Sequence, residues 1–208
     1  MSFDIVSVLI LIGMIIFSMV LHELAHGFMS FALGDDTAKL HGRLTFNPLK
    51  HLDPFMSVLL PLGLALTGGP IFGGAKPVPY NPSNLKYGDL GVLLVSIVGP
   101  LMNFALAFIF FGTLSIVGSG QGLLDSILRL GVIVNLGFFA FNILPIPPLD
   151  GSRVIYSLAP DIVKQFLERI EKYGIFILLG ILILFQNQIS SLMVFISDKS
   201  ISIFETIF

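Results

Sequence analysis

In a chain of 208 residues, 55% are hydrophobic and only 12% are charged, with a mean hydropathy of +0.95; a soluble domain carries about 25% charged residues, so this composition belongs in a bilayer. The formal net charge of −2 leaves no basic surplus to meet phosphates and excludes a nucleic-acid partner. With no cysteine, the chain can build neither a disulfide framework nor a thiolate metal site, and it has no Cys nucleophile.

The first apolar run, Phe3 to Leu21, has no Lys or Arg before it, and its only early charge is Asp4. A signal peptide needs a basic start and a small-residue cleavage site, so the run is read as a retained membrane helix. Four segments can each supply the ~20 apolar residues of a spanning helix, roughly 3–33, 89–117, 127–147 and 172–197. Between the first two, Thr37 to Pro48 reads as short extended pieces broken by Gly42, with the β-formers Thr45 and Phe46. Segment 54–72 contains Pro54, Pro61 and Pro70 and suits a re-entrant excursion better than a crossing, because proline removes a helical hydrogen bond. Lys76 to Pro82 is too proline-rich for a helix and must be extended or turning. The tail after Asp198 is weakly amphipathic and suggests no role.

Charge gives the topology. Lys39, Arg43, Lys50, Lys76 and Lys86 lie in 34–88, Arg153, Lys164 and Arg169 lie in 148–171, and 118–126 has no Lys or Arg. Positive residues gather on the cytoplasmic side, so four crossings place both basic segments inside, and 54–72 does not cross. The expected fold is an all-α membrane protein with about four transmembrane helices and a short membrane-associated extended or re-entrant segment between the first two. Residues 1–208 form one domain, with a core of about 3–155 and an extra C-terminal helix at about 172–197.

Near the end of the first helix stands His22-Glu23-Leu24-Ala25-His26. Positions i and i+4 share a helix face, so both imidazoles can reach one metal ion. Glu23 stands beside the first histidine, where it can take a proton from an attacking water. This spacing is a zinc-protease signature. The plain alternative is a group of interfacial polar residues, but ionisable side chains inside a membrane are costly and mark functional sites.

A catalytic zinc takes three protein ligands and keeps a position for water. Asp150 stands out as the third. It follows Asn142-Ile143-Leu144-Pro145-Ile146-Pro147-Pro148-Leu149, whose prolines force broken backbone at membrane depth. Such backbone is tolerated where it lines a cavity or is buried in protein. The charge-derived topology puts Asp150 at the same membrane face as the two histidines. Asp53, before Pro54, is the rival ligand, though Asp-Pro also favours a turn. His41 and His51 are read as solvated or interfacial. Asn142 is a candidate donor to substrate backbone or a developing oxyanion, or a hydrogen-bonded link between helices. Gly99 and Pro100 suggest a helix start, with Asn103 in a structural role.

HELAHG in the first helix and NILPIPPLDG after a later one resemble the site-2 protease family of intramembrane metalloproteases, whose pattern is HExxH followed by N-x-x-P-x-P-x-L-D-G. Gly99-Pro100-Leu101-Met102-Asn103 resembles that family's G-P-x-x-N, and 43–54 and 74–82 resemble its membrane-associated extended segments. The resemblance covers roughly residues 15–155. It implies one zinc ion per chain, held by His22, His26 and Asp150, with Glu23 as the catalytic base. Neither the central loop nor the tail has the length of a PDZ or CBS module. The implied activity is hydrolysis of a peptide bond in or near a transmembrane segment of another protein, in regulated intramembrane proteolysis. The location is a cell membrane, multi-pass, with the active site near the cytoplasmic face. The extended pieces at 37–48 and 76–82 are expected to hold an unwound substrate by strand addition. The rival functions are a metal transporter using the same ligands and a catalytically silent membrane binder. A transport site has no need of Glu23, and an intact Glu23 set argues against silence.

Overall fold

The computed structural model describes residues 5–59, 63, 74–118, 120 and 122–208, and among these every regular element is helical. In chain order they are α1 (Ile5–Ala32), the single turn α2 (Thr37–Leu40), a 3-10 turn at Pro48–Lys50, a π-helical stretch at Pro54–Leu59 and a 3-10 turn at Pro82–Asn84. There follow α3 (Asp89–Val117), α4 (Leu123–Asn142), α5 (Asp150–Leu158), α6 (Asp161–Glu171), α7 (Gly174–Leu184) and α8 (Gln186–Glu205). Helices α1, α3 and α4 are each long and apolar enough to cross a membrane, and α7 with α8 qualifies only as a pair. The chain is a multi-pass, all-α membrane protein.

Helix α1 is polar on its inward side. Ser18, His22, His26 and Ser30 recur every fourth residue, so they form one row, and all are buried. Ile5, Leu9, Ile12, Phe17, Phe28 and Phe31 are exposed, leaving an apolar surface suited to lipid. Helix α3 meets this row with Val95, Gly99 and Asn103. Small residues let membrane helices approach closely, and packing rather than hydrophobicity holds them together. The same logic joins α3 to α4. A Cβ on Gly131 would stand 2.5 Å from the Phe110 ring, so only glycine allows that approach. Pro100 sits inside α3, fully buried, and the helix passes through it from Asp89. The helix start expected at Gly99-Pro100 is therefore a mid-helix position, because neighbouring helices support the interrupted turn.

Two further expectations differ from the structure, and a third, for 54–72, lies mostly outside the described residues. Residues 37–48 curl instead of extending. The Asp35 carboxylate accepts from the Thr37 hydroxyl at 2.6 Å and from its N–H at 3.3 Å, which starts α2, and Gly42 turns the chain at φ 62°. Segment 54–72 opens in the π-helical stretch; residues 60–62 and 64–72 lie outside the described residues. The single span expected at 172–197 is two helices meeting at 93°, broken at Phe185, where uniformly apolar sequence gives way to Gln186-Asn187-Gln188. Helix α7 packs Leu178 and Leu182 against Leu144 and Leu149. Helix α8 then runs back along α4, and Phe204 is fully buried with Ala107, Val132 and Leu136. The tail that suggested no role thus completes a core cluster.

Candidate metal centre

The inward row of α1 brings His22 and His26 together, with their Nε2 atoms 3.1 Å apart. Each ring is held from behind. The Nδ1 of His26 lies 2.6 Å from the carbonyl oxygen of Val95, and the Nδ1 of His22 lies 2.6 Å from the Oδ1 of Asn103. A carbonyl can only accept, so the Val95 contact puts the proton of a neutral His26 on Nδ1 and leaves Nε2 with a bare lone pair. Metal-bound histidines are oriented in this way.

The third group comes from far along the chain. After α4, the stretch 143–149 folds back on itself, with Ile146 donating to the Leu144 carbonyl and Leu149 to the Ile146 carbonyl, both at 2.8 Å. The turn closes because residue 151 is glycine; a Cβ there would stand 2.2 Å from the Ile143 carbonyl oxygen and 2.4 Å from that of Leu144. Asp150, the first residue of α5, is thereby aimed at the histidines. Its Oδ2 lies 3.1 Å from His22 Nε2 and 3.3 Å from His26 Nε2, and it is buried without a hydrogen-bond partner.

Three electron-pair donors, two imidazole nitrogens and one carboxylate oxygen, thus converge within 4.8 Å of one another. Without a cation they would repel, and a buried carboxylate oxygen without a donor is costly. The space beside them is also kept clear. A Cβ on Gly99 would lie 2.2 Å from His26 Nε2 and 2.8 Å from His22 Cε1. The donor set suits zinc or iron, and three ligands leave an open position for a substrate or water.

Glu23 is buried beside His22 in α1, and its Oε2 accepts a 2.8 Å hydrogen bond from the backbone N–H of Val78. That segment is clamped two residues earlier. The N–H of Lys76 donates to the His51 carbonyl at 2.8 Å, and the Arg43 guanidinium donates to the Lys76 carbonyl. Both clamping residues are buried, so His51 is not the solvated or interfacial residue expected; its Nε2 lies 2.8 Å from the Thr45 carbonyl oxygen.

The other candidates lie elsewhere. Asp53 caps the π-helical stretch, its Oδ1 accepting from Phe55 at 2.9 Å and from Met56 at 2.8 Å. His41 is exposed, its Nδ1 2.9 Å from the Thr37 carbonyl oxygen. Asn142 donates from Nδ2 to the Phe138 carbonyl of its own helix at 3.0 Å. The sequence reading did not find the Val78 N–H, which no side-chain pattern reveals. It also passed over Asn135, a fully buried amide inside an apolar helix, although that placement is a signal by itself.

Comparison with known proteins points one way. The profile described as peptidase family M50 matches residues 118–185, the stretch that ends α3's connection and runs through α4 and Asp150 into α7. Over 173 residues the chain is 42% identical to "Putative zinc metalloprotease YwhC" of Bacillus subtilis, covering 79% of this chain and 76% of that protein. It is 28% identical over 180 residues to the similarly described Rip2 of Mycolicibacterium smegmatis, with 86% and 68% coverage. A shorter match, 46% over 61 residues, joins it to MJ0611 of Methanocaldococcus jannaschii, covering 29% of this chain and 31% of that protein. No solved structure matches the chain.

Proposed function

Since the chain belongs to peptidase family M50, the site-2 protease family, we propose that it is an intramembrane zinc metalloprotease with His22, His26 and Asp150 as ligands and Glu23 as general base. The observation that carries this reading is the meeting of His22 Nε2, His26 Nε2 and the orphaned Asp150 Oδ2 from opposite ends of the fold.

Zinc supplies Lewis acidity, activating a water and polarising the scissile carbonyl. The protein supplies the rest. Val78 holds Oε2 of Glu23, which leaves Oε1 to take the proton as the water oxygen bonds to the carbonyl carbon. The same carboxyl then delivers that proton to the amine nitrogen as the C–N bond breaks. Asn142, at the end of α4, is a further candidate to donate to substrate backbone. The substrate is another protein's transmembrane segment, unwound locally so that its backbone is open to attack. The role would be regulated intramembrane proteolysis in a cell membrane; a site near the cytoplasmic face agrees with the basic residues that follow α1 and α4.

The expected strand addition is narrowed by the structure. Residues 37–40 are helical. In 76–82, Pro77, Pro79 and Pro82 have no N–H, while Lys76, Val78 and Asn81 donate theirs within the protein, to the His51 carbonyl, Glu23 and Asp35. A substrate strand there would find one N–H, that of Tyr80, and would have to bring the other donors itself.

The test compares purified full-length wild type, Glu23→Gln and Asp150→Ala in detergent, measuring zinc content and cleavage of a panel of transmembrane substrates. Glu23→Gln should keep the metal and lose cleavage, and Asp150→Ala should bind zinc more weakly. A Glu23→Gln protein that still cleaves would sink the assignment.

A further inference from the structure

Behind His22 lies a chain of buried amides that fixes which way Asn103 faces. Asn135 in α4 donates from Nδ2 to the Gly131 carbonyl at 2.8 Å. Its Oδ1 accepts from Nδ2 of Asn103 in α3 at 3.0 Å. The Oδ1 of Asn103 then meets the Nδ1 of His22 in α1 at 2.6 Å. Both asparagines are fully buried.

The direction of this chain is set at its far end. The Gly131 oxygen is a backbone carbonyl and can only accept, so the Asn135 amide nitrogen must face it. The Asn135 oxygen must then face Asn103 and accept. That turns the Asn103 nitrogen toward α4 and its oxygen toward His22. Asn103 Nδ2 has a second, longer contact of 3.4 Å to the Ser18 carbonyl, which favours the same orientation. Facing an acceptor, His22 carries its proton on Nδ1 and presents a bare Nε2. Were Asn103 reversed, its NH2 would confront His22 Nδ1, the proton would shift to Nε2, and the ligand lone pair would be lost.

We propose that Asn135 is a positioning residue for the metal centre, acting on His22 through Asn103 across three helices without touching a ligand. The proposal rests on the reading of His22 as a ligand.

The test is a zinc competition titration on the full chain in detergent, over wild type, Asn135→Leu, Asn103→Leu and the double variant, with His22→Ala as a control. Partners behind a metal-bound histidine are each worth about 10–100-fold in metal affinity. Asn135→Leu should weaken zinc binding by about that factor. In the Asn103→Leu background it should change nothing, because Asn135 reaches His22 only through the Asn103 amide. A packing role for Asn135 would cost the same in both backgrounds, and that result would overturn the proposal. So would wild-type affinity in Asn135→Leu. The smaller Asn135→Ala is run beside it and should give the same cycle should leucine prevent folding. A wild type that does not hold zinc, or a His22→Ala variant that binds as wild type, would overturn the metal reading itself, which keeps the two failures apart.

Discussion

Val78 and Glu23, 55 residues apart in sequence, are joined by one hydrogen bond of 2.8 Å from a backbone N–H to a buried carboxylate oxygen. The two neighbours of Val78 are prolines, so this N–H is the segment's sole donor at that point. It ties the orientation of the proposed base to a short stretch fixed by Arg43 and His51.

Replacing Val78 with proline removes that donor in backbone already extended by Pro77 and Pro79. Zinc content should hold, while cleavage should fall by about 100-fold, the cost of a misplaced catalytic group. Val78→Ala keeps the N–H and should retain most of the rate. Equal losses in the two variants would mean that the side chain matters and the hydrogen bond does not.

Gly99→Ala tests the space beside the ligands. The new methyl would lie 2.2 Å from His26 Nε2, against a ring pinned from behind by Val95. Zinc affinity should drop by at least about 100-fold, at or beyond the upper end seen for partners behind a ligand. Wild-type affinity in a competition titration would show that α1 and α3 stand further apart than described.

Gly151→Ala tests the turn that aims Asp150. Its methyl would meet the backbone oxygens of Ile143 and Leu144, which cannot swing aside as a side chain can. Overpacking of this kind costs about 1–3 kcal/mol or more. The thermal midpoint in detergent should fall and zinc should bind more weakly. An unchanged midpoint would count against the tight turn.

Asp35 predicts an acid-sensitive component of stability. Burial pushes its carboxyl pKa up, but hydrogen bonds from Thr37, Asn84 and Asn81 outweigh this and hold it below the usual carboxylate range. A depressed folded pKa stabilises above the unfolded value, about 3.9, and the gain is lost as pH falls through the folded value. At neutral pH, Asp35→Asn should therefore unfold at a lower temperature than wild type, and the gap should close below about pH 4. A gap independent of pH would leave Asp35 with a packing role only.

The sequence was most legible where chemistry constrains residue type. The HELAH spacing and the proline-broken approach to Asp150 each mark backbone or side chains that a membrane does not tolerate without a purpose. It was least legible where backbone decides. No composition rule says that residues 37–40 form a helical turn; the turn follows from Asp35 capping Thr37. His51 was read as solvated or interfacial because its type usually is, and only the fold shows that it and Arg43 are buried against the backbone of Lys76. Likewise, the run from 172 onward is apolar enough for one span, and only the fold shows it broken at Phe185, with α7 lying against the turn after α4.

The two histidines and Asp150 enter the site from distant parts of the chain, and this orders its assembly in time. A chain made from its N-terminus inserts α1 with both imidazoles well before the turn at Gly151 has been synthesised. On the proposed ligand set, a metal would find only two of its three ligands, and be weakly held, until α4 is in place and that turn has closed. On the proposed reading, a partly made chain would therefore not cleave its neighbours at the insertion machinery, and the site would be complete only once the residues after α4 have been added.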